Sequence, residues 1–185
     1  MPLPRRLGAV DVRIRPEERE DFAAIAAVVT DAFGPDHGPV VVTLVEGIRA
    51  SAHYVPDLAL VAEDVSGIVG HVMLSWVGVE TAARDRLLNL SPMSVRSDRQ
   101  RLGVGTRLIE RALSLAQAAG EPAVIVEGVP AYYPRFGFER ASALGFLPPH
   151  DDIPDAAFMV RRLPTYDPAI AGRVVYPAAF EAVRP

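Results

Sequence analysis

The sequence predicts an α/β (α+β) domain: a mixed, mostly antiparallel twisted sheet flanked by helices, with a bulge in a central strand. Three observations predict it. Strand-like segments follow one another at 58–62, 68–79 and 87–95, with a turn at 64–67 between the first two, as antiparallel hairpins do. A long helical pattern then separates 87–95 from the apolar run 123–126; a strand–helix–strand crossover asks for a parallel pair. Pro92 stands inside the third strand, where it cannot donate to a ladder, so the strand is expected to bulge.

The elements follow in order. Residues 10–14 alternate Val-Asp-Val-Arg-Ile, a period-two strand signal. Pro16 is expected in the first turn of a helix, with Glu17, Glu18, Glu20 and Asp21 at the positive end of its dipole. Phe22, Ile25, Ala26, Val29 and Phe33 recur at helical spacing, and Gly34-Pro35 stops them. Residues 40–50 form a second helical candidate, weakened by β-branched residues. From Val104, the residues Leu108, Ile109, Ala112, Leu115 and Ala116 share one helical face, and Gly120 stands at the C-cap position. The run 123–126 reads as a strand buried on both faces. A short helix is expected at 130–136, ended by Gly137. In the Pro-rich tail, 158–161 and 173–176 are strand-like.

The 185 residues amount to one domain-sized unit, large enough to bury most of its unfolded surface without a metal or disulfide staple. Half of the residues are hydrophobic and 23% charged, which excludes disorder over most of the chain. Cysteine is absent, which excludes thiol catalysis and cysteine-type zinc sites. No metal site is expected. Lysine is also absent, so all 19 basic residues are arginine. The net charge of −4 argues against bulk attraction to nucleic acid or anionic membrane. The start carries no apolar run of a signal peptide, and no run approaches the ~20 residues of a membrane span, so cytoplasm is the expected location.

Gly103 and Gly105 lie between a strand and a helix. Such a loop turns backbone N–H groups toward an anion at a helix N-terminus. Arg99, Arg101 and Arg107 add positive charge nearby. A P-loop needs a lysine, which this chain lacks. A dinucleotide fingerprint needs a third glycine where Leu108 stands. The remaining pattern is Gln/Arg-x-x-Gly-x-Gly/Ala, met by Gln100-Arg101-Leu102-Gly103-Val104-Gly105.

At these residues the chain resembles the GNAT superfamily of N-acetyltransferases. The resemblance extends over about 10–141. It includes the bulged strand before the loop, the buried strand after its helix, and Tyr133-Pro134-Arg135-Phe136-Gly137-Phe138, with a tyrosine four residues before Gly-Phe. It is most like a bacterial subgroup with a Tyr-Tyr-x-Arg-Phe-Gly-Phe stretch and an added C-terminal segment. One departure is that Ser97 and Arg99 stand where that subgroup has a proline and an aromatic residue. The resemblance divides the chain into a tail (1–9), an acetyl-CoA-binding domain (10–145) and a C-terminal extension packed on it (146–185).

What the resemblance implies is acetyl transfer from acetyl-CoA to a primary amine of a small molecule or peptide. Without a cysteine to carry the acetyl group, direct attack in a ternary complex is expected. Backbone groups of Arg101, Leu102, Gly103, Val104, Gly105 and Thr106, beside Gln100, would hold the diphosphate. Those of Met93, Ser94 and Val95 would meet the pantetheine arm, and the Val95 N–H would polarise the acetyl carbonyl. Tyr133 is the candidate general acid, with Tyr132 facing the core. Glu127, at the end of the buried strand, is the first candidate base; His71, Glu63 and His53 are alternatives. The segment 33–54 is expected to cover the substrate groove, with Asp36, His37 and Glu46 as attractants for a cation and Val40, Val41, Val42 and Leu44 as apolar lining. The tail, with Phe158, Tyr176 and Phe180, fits an added strand, a cover for the groove or a homodimer interface. A non-catalytic acyl-CoA-binding regulatory domain is the alternative of a different class.

Overall fold

The computed structural model describes residues 11–184. Its sheet runs β1 (Arg13–Pro16), β2 (Tyr54–Asp64), β3 (Gly67–Glu80), β4 (Arg86–Val95), β5 (Ala123–Glu127), β7 (Phe158–Arg162), β6 (Glu139–Arg140), and β8 (Arg173–Val175) pairs with β3. All neighbours are antiparallel except β4 and β5, which are parallel. The sheet class and the single parallel crossover are those expected.

Alternation along the strands sorts the core onto two faces. Leu60, Ala62, Val72, Leu74, Leu88 and Val124 pack against Val104, Leu108 and Ala112 of helix α2 (Val104–Ala118). Their neighbours on the other face, Ala59, Val61 and Met73, meet helix α1 (Phe22–Arg49) through Ile25, Val29, Leu44 and Ile48. Farther along that second face, Val77, Leu87 and Ile125 are covered by Phe146, Phe158 and Ile170. The short helix α3 (Ala178–Glu181) adds Phe180 beside Leu44.

Helix α1 is two helices meeting at a kink. Gly34 has φ +80° and ψ 173°, a conformation open to glycine and strained for other residues. The expected stop is therefore present, and the second half begins directly after it, before residue 40. Pro35 opens its first turn, where a missing N–H costs nothing. Gly38 lets the halves touch, since a Cβ there would lie 2.6 Å from the Thr30 Cα.

The chain start departs from expectation. The described strand is Arg13–Pro16, and Val10 lies outside the described residues. Pro16 closes this strand instead of opening a helix, because the Glu17 N–H donates to the Ala59 carbonyl (2.8 Å) and carries the extended chain onward. Glu17 then turns inward. It accepts from Arg49 (2.7 and 2.8 Å), from the Tyr54 hydroxyl (2.9 Å) and from His71 Nε2 (2.9 Å). Asp21 takes the capping role instead: it accepts the Glu18 N–H at 2.8 Å and pairs with Arg15 at 2.6 Å.

The bulge in β4 is where Pro92 places it. Val72 faces Met93 and Leu74 faces Leu90, so Ser91 and Pro92 together oppose Met73. Parallel pairing of β4 with β5 is confined to Leu88↔Val124 and Asn89↔Ile125. Beyond Asn89 the two strands part, and the gap between them positions the site.

Candidate active site

The loop from Arg101 to Gly103 carries two left-handed residues, Arg101 (φ +60°) and Gly103 (φ +88°). They turn the chain sharply into α2, whose first intrahelical bond is Arg107 N–H to Gly103 O at 3.1 Å. The N–H groups of Arg101 through Thr106 have no acceptor among the described residues. Such a run of unspent donors at a helix start is a cradle for an anion. Arg101 lines the cleft beside it. The other two arginines are committed elsewhere. Arg99 pairs with Asp64 (2.8 Å) and Asp98 (2.7 Å), and Arg107 donates to the Val12 carbonyl at 2.7 Å. Arg101 is therefore the arginine of the three that the loop offers.

The strand edge supplies further groups. The Arg96 N–H bonds the Val69 carbonyl at 2.9 Å, and antiparallel alternation then spends the Ser94 backbone on His71. The backbones of Met93 and Val95 turn the other way, into the gap left by β5. The Ser94 backbone thus belongs to the ladder, while the residue still lines the cleft. Gln100 closes the turn by donating Nε2 to the Val95 carbonyl at 3.0 Å, which leaves the Val95 N–H open toward the gap.

A cleft of about 310 Å³ joins these pieces, with Met93, Val95, Arg101, Gly105 and Tyr132 on its walls. Met93, Phe33 and Tyr132 also line a second cavity of about 420 Å³, which reaches Ser91, Glu127 and Tyr133. Leu44, Ser91 and Glu127 are shared in turn with a third of about 610 Å³. The three form one continuous groove along the parted strands. Phe33, Val41 and Leu44 cover it as expected, whereas Val40, Val42, Asp36, His37 and Glu46 line none of it.

Both tyrosines border the groove. Tyr133 is 8% exposed and packs on Gly128, where a Cβ would lie 2.3 Å from its ring. Its hydroxyl bonds no described residue. Burial, with Tyr132 alongside, pushes its pKa up to about 12, so the phenol keeps its proton at neutral pH. Tyr132 does not face only the core. Its hydroxyl lies against the loop, since a Cβ on Gly105 would be 2.9 Å from it. Arg135 fixes that ring by stacking 4.0 Å from its centroid and donating to its carbonyl at 2.9 Å.

Glu127 ends β5 on the groove wall and accepts the Tyr176 hydroxyl at 3.0 Å. The alternative bases stand elsewhere. His71 is fully buried against Glu17, Glu63 pairs with Arg15 at 3.3 Å, and His53 lines none of the groove. Two buried polar groups lie at the groove: Ser94, expected there for its backbone, and Asn89, which no motif in the sequence marks. Each has a side-chain oxygen without a partner among the described residues. No group of three or more metal-binding side chains occurs among the described residues, and no helix there is long and apolar enough to cross a membrane.

Comparison with known proteins places this groove in a family setting. A family model described as an acetyltransferase (GNAT) domain matches residues 56–140. The chain is 30% identical over 157 residues to the uncharacterized N-acetyltransferase YhbS of Escherichia coli (strain K12), covering 81% of this chain and 86% of that one. It is 29% identical over 162 residues to the uncharacterized N-acetyltransferase YjhQ of the same strain, at 85% and 87% coverage. The crystal structure of Escherichia coli YhbS in complex with CoA superposes with a TM-score of 0.83 at 28% identity, covering 95% of each chain. A GNAT family acetyltransferase from Brucella melitensis in complex with acetyl-CoA gives 0.71 at 29% identity, covering 92% of this chain and 98% of that one.

Proposed function

The chain belongs to the GNAT family of N-acetyltransferases, and from that premise we propose that it moves an acetyl group from acetyl-CoA to a primary amine by direct attack in a ternary complex. The observation that carries this reading is the continuous groove. At one end it presents the unspent N–H groups of Arg101 to Thr106, and along its middle the unbonded phenol of Tyr133.

The residues fit the cofactor by their chemistry. The loop N–H groups and Arg101 would hold the diphosphate, since donors at a helix start favour an anion. The outward backbones of Met93 and Val95 would meet the pantetheine amides. A side chain on Gly105 would intrude on that cleft. Acetyl-CoA, when bound, supplies a thioester whose C–S bond breaks as a C–N bond to the amine forms.

The chain's own groups handle the protons and the charge. Glu127 takes the proton that the amine must lose before it can attack. The Val95 N–H, free of the ladder, donates to a developing oxyanion. Tyr133 Oη, protonated at neutral pH, gives its proton to the departing sulfur. The relatives solved with CoA and acetyl-CoA support the cofactor, and the groove supports the order of the groups along it.

Calorimetry with acetyl-CoA, followed by thiol release in the presence of amines, tests the proposal. Micromolar binding with amine-dependent thiol release is expected. Binding without release from any amine would leave the non-catalytic acyl-CoA-binding domain instead. Absence of binding at millimolar acetyl-CoA overturns both.

A further inference from the structure

The cavity of about 610 Å³ shares no lining residue with the cleft that carries the loop donors. Its size suits a small molecule. It adjoins the catalytic region through Ser91 and Glu127, and its walls are largely apolar, with Leu44 from α1, Ile153 from the loop before β7, and Phe180 and Val183 from the C-terminal segment.

Its polar groups are Asn89, Ser91, Glu127 and Tyr176, with the ion pair of Asp152 and Arg184. Asn89 is 1% exposed and lines the cavity, and its Oδ1 has no hydrogen-bond donor among the described residues. A buried carbonyl oxygen left without a donor is unfavourable, so the site is complete only when a donor arrives. Glu127 accepts one hydrogen bond, from Tyr176, and forms no ion pair among the described residues. Both groups therefore call for N–H donors, and the second calls for positive charge. Arg184, the cation on this lining, donates Nη2 to both carboxylate oxygens of Asp152 at 2.9 and 2.8 Å, and its charge also acts on Glu127.

We propose that this cavity is the acceptor site and that it takes a small primary amine carried on a compact hydrocarbon body, branched or aromatic. The inference rests on the acetyltransferase reading above. An ammonium brings several N–H donors and one charge, which matches Asn89 Oδ1 and Glu127, the carboxylate on this wall that is in no direct ion pair. An amino acid would bring a carboxylate that must compete with Asp152 for Arg184. A polyamine would leave further charges against Leu44, Ile153 and Phe180, at a desolvation cost.

The test compares matched acceptors on the full chain. They are 3-methylbutylamine and 2-phenylethylamine, leucine and phenylalanine (the same bodies with a carboxylate added), and spermidine. Thiol release should give the two monoamines kcat/KM values at least tenfold above the other three. Asn89→Leu should raise the monoamine KM tenfold or more while the acetyl-CoA Kd, by calorimetry, stays within twofold. Val183→Arg, at a partly exposed position, adds a free cation and should shift preference toward leucine even where Asn89→Leu folds poorly. Acetyl-CoA binding with equal or better turnover of leucine or spermidine overturns this inference alone. A failure to bind acetyl-CoA removes the acetyltransferase reading and this one with it.

Discussion

The Tyr176 hydroxyl donates a 3.0 Å hydrogen bond to the carboxylate of Glu127. The donor comes from the tail just beyond β8, and the acceptor ends β5 on the wall of the groove. Burial and the adjacent carboxylate both push the Tyr176 phenol above its ordinary range, so it remains a donor. The C-terminal segment thus orients the group proposed to take the amine's proton. Tyr176→Phe removes that donor while leaving the ring against Phe180, 4.8 Å away. We expect a drop of about fivefold or more in kcat/KM for the amine, in keeping with loss of a hydrogen bond to a charged group, and an unchanged acetyl-CoA Kd. An unchanged kcat/KM would detach the tail from the chemistry.

Tyr133→Phe isolates the proposed acid. The ring stays packed on Gly128 and Phe138, so the fold and the cleft are retained. Loss of a positioned acid should lower kcat about tenfold or more with acetyl-CoA binding within twofold. Tyr132→Phe serves as the comparison, because its hydroxyl borders the loop and not Glu127. If Tyr132→Phe carries the larger kcat loss, the acid is reassigned to it.

The two loop glycines should respond to alanine with opposite effects on stability. Gly103 has φ +88° with open space around it, so Gly103→Ala strains the backbone and should cost about 1–2 kcal/mol. Gly105 lies inside the first turn of α2, where alanine improves helix propensity by roughly 0.5–1 kcal/mol. Its new methyl, however, projects into the cleft toward Tyr132 Oη. Gly105→Ala should keep or raise Tm yet weaken acetyl-CoA binding about tenfold, or ~1.4 kcal/mol. Thermal melts beside calorimetry separate the two effects; equal loss of Tm in both variants would contradict the argument.

The features legible in the sequence are those written in local chemistry. Gly34 ends a helix because few other residues adopt its φ of +80°, and Pro92 forces the bulge because it lacks an N–H. Gly103 marks the loop in the same way, by its φ of +88°, whereas Gly105 marks it by the close approach of Tyr132. What escaped depends on partners far away in the chain. The acids at 17–21 look alike in sequence, yet Glu17 is drawn inward by Arg49, 32 residues later, while Asp21 stays at the turn. Ser94 looks like Met93 and Val95 until strand register decides which backbones are spent. The placement of β7 between β5 and β6 follows from the tail's return path, for which no local signal exists.

The buried pair of Glu17 and His71 yields a prediction about acid stability. Burial alone would raise the Glu17 carboxyl, but hydrogen bonds from Arg49 and His71 outweigh it and hold the pKa near about 2. Burial lowers the His71 pKa below its ordinary 6.5 despite the bond to Glu17, so the ring is neutral and Nε2–H is the donor. In the unfolded chain His71 gains a proton near pH ~6.5 and Glu17 near ~4.3. The folded state resists both protonations, so the unfolded state binds more protons and stability falls as pH drops. The His71 contribution is lost first, from about pH 6.5 downward, by at most about 1.4 kcal/mol per pH unit. The Glu17 contribution is complete above about pH 4.3 and disappears between there and about 2. Urea midpoints from pH 8 to pH 3 should therefore decline in two stages. His71→Gln, which keeps an amide donor and cannot titrate, should flatten the upper stage and retain the lower one. An upper stage of the same slope in that variant would assign it to another group.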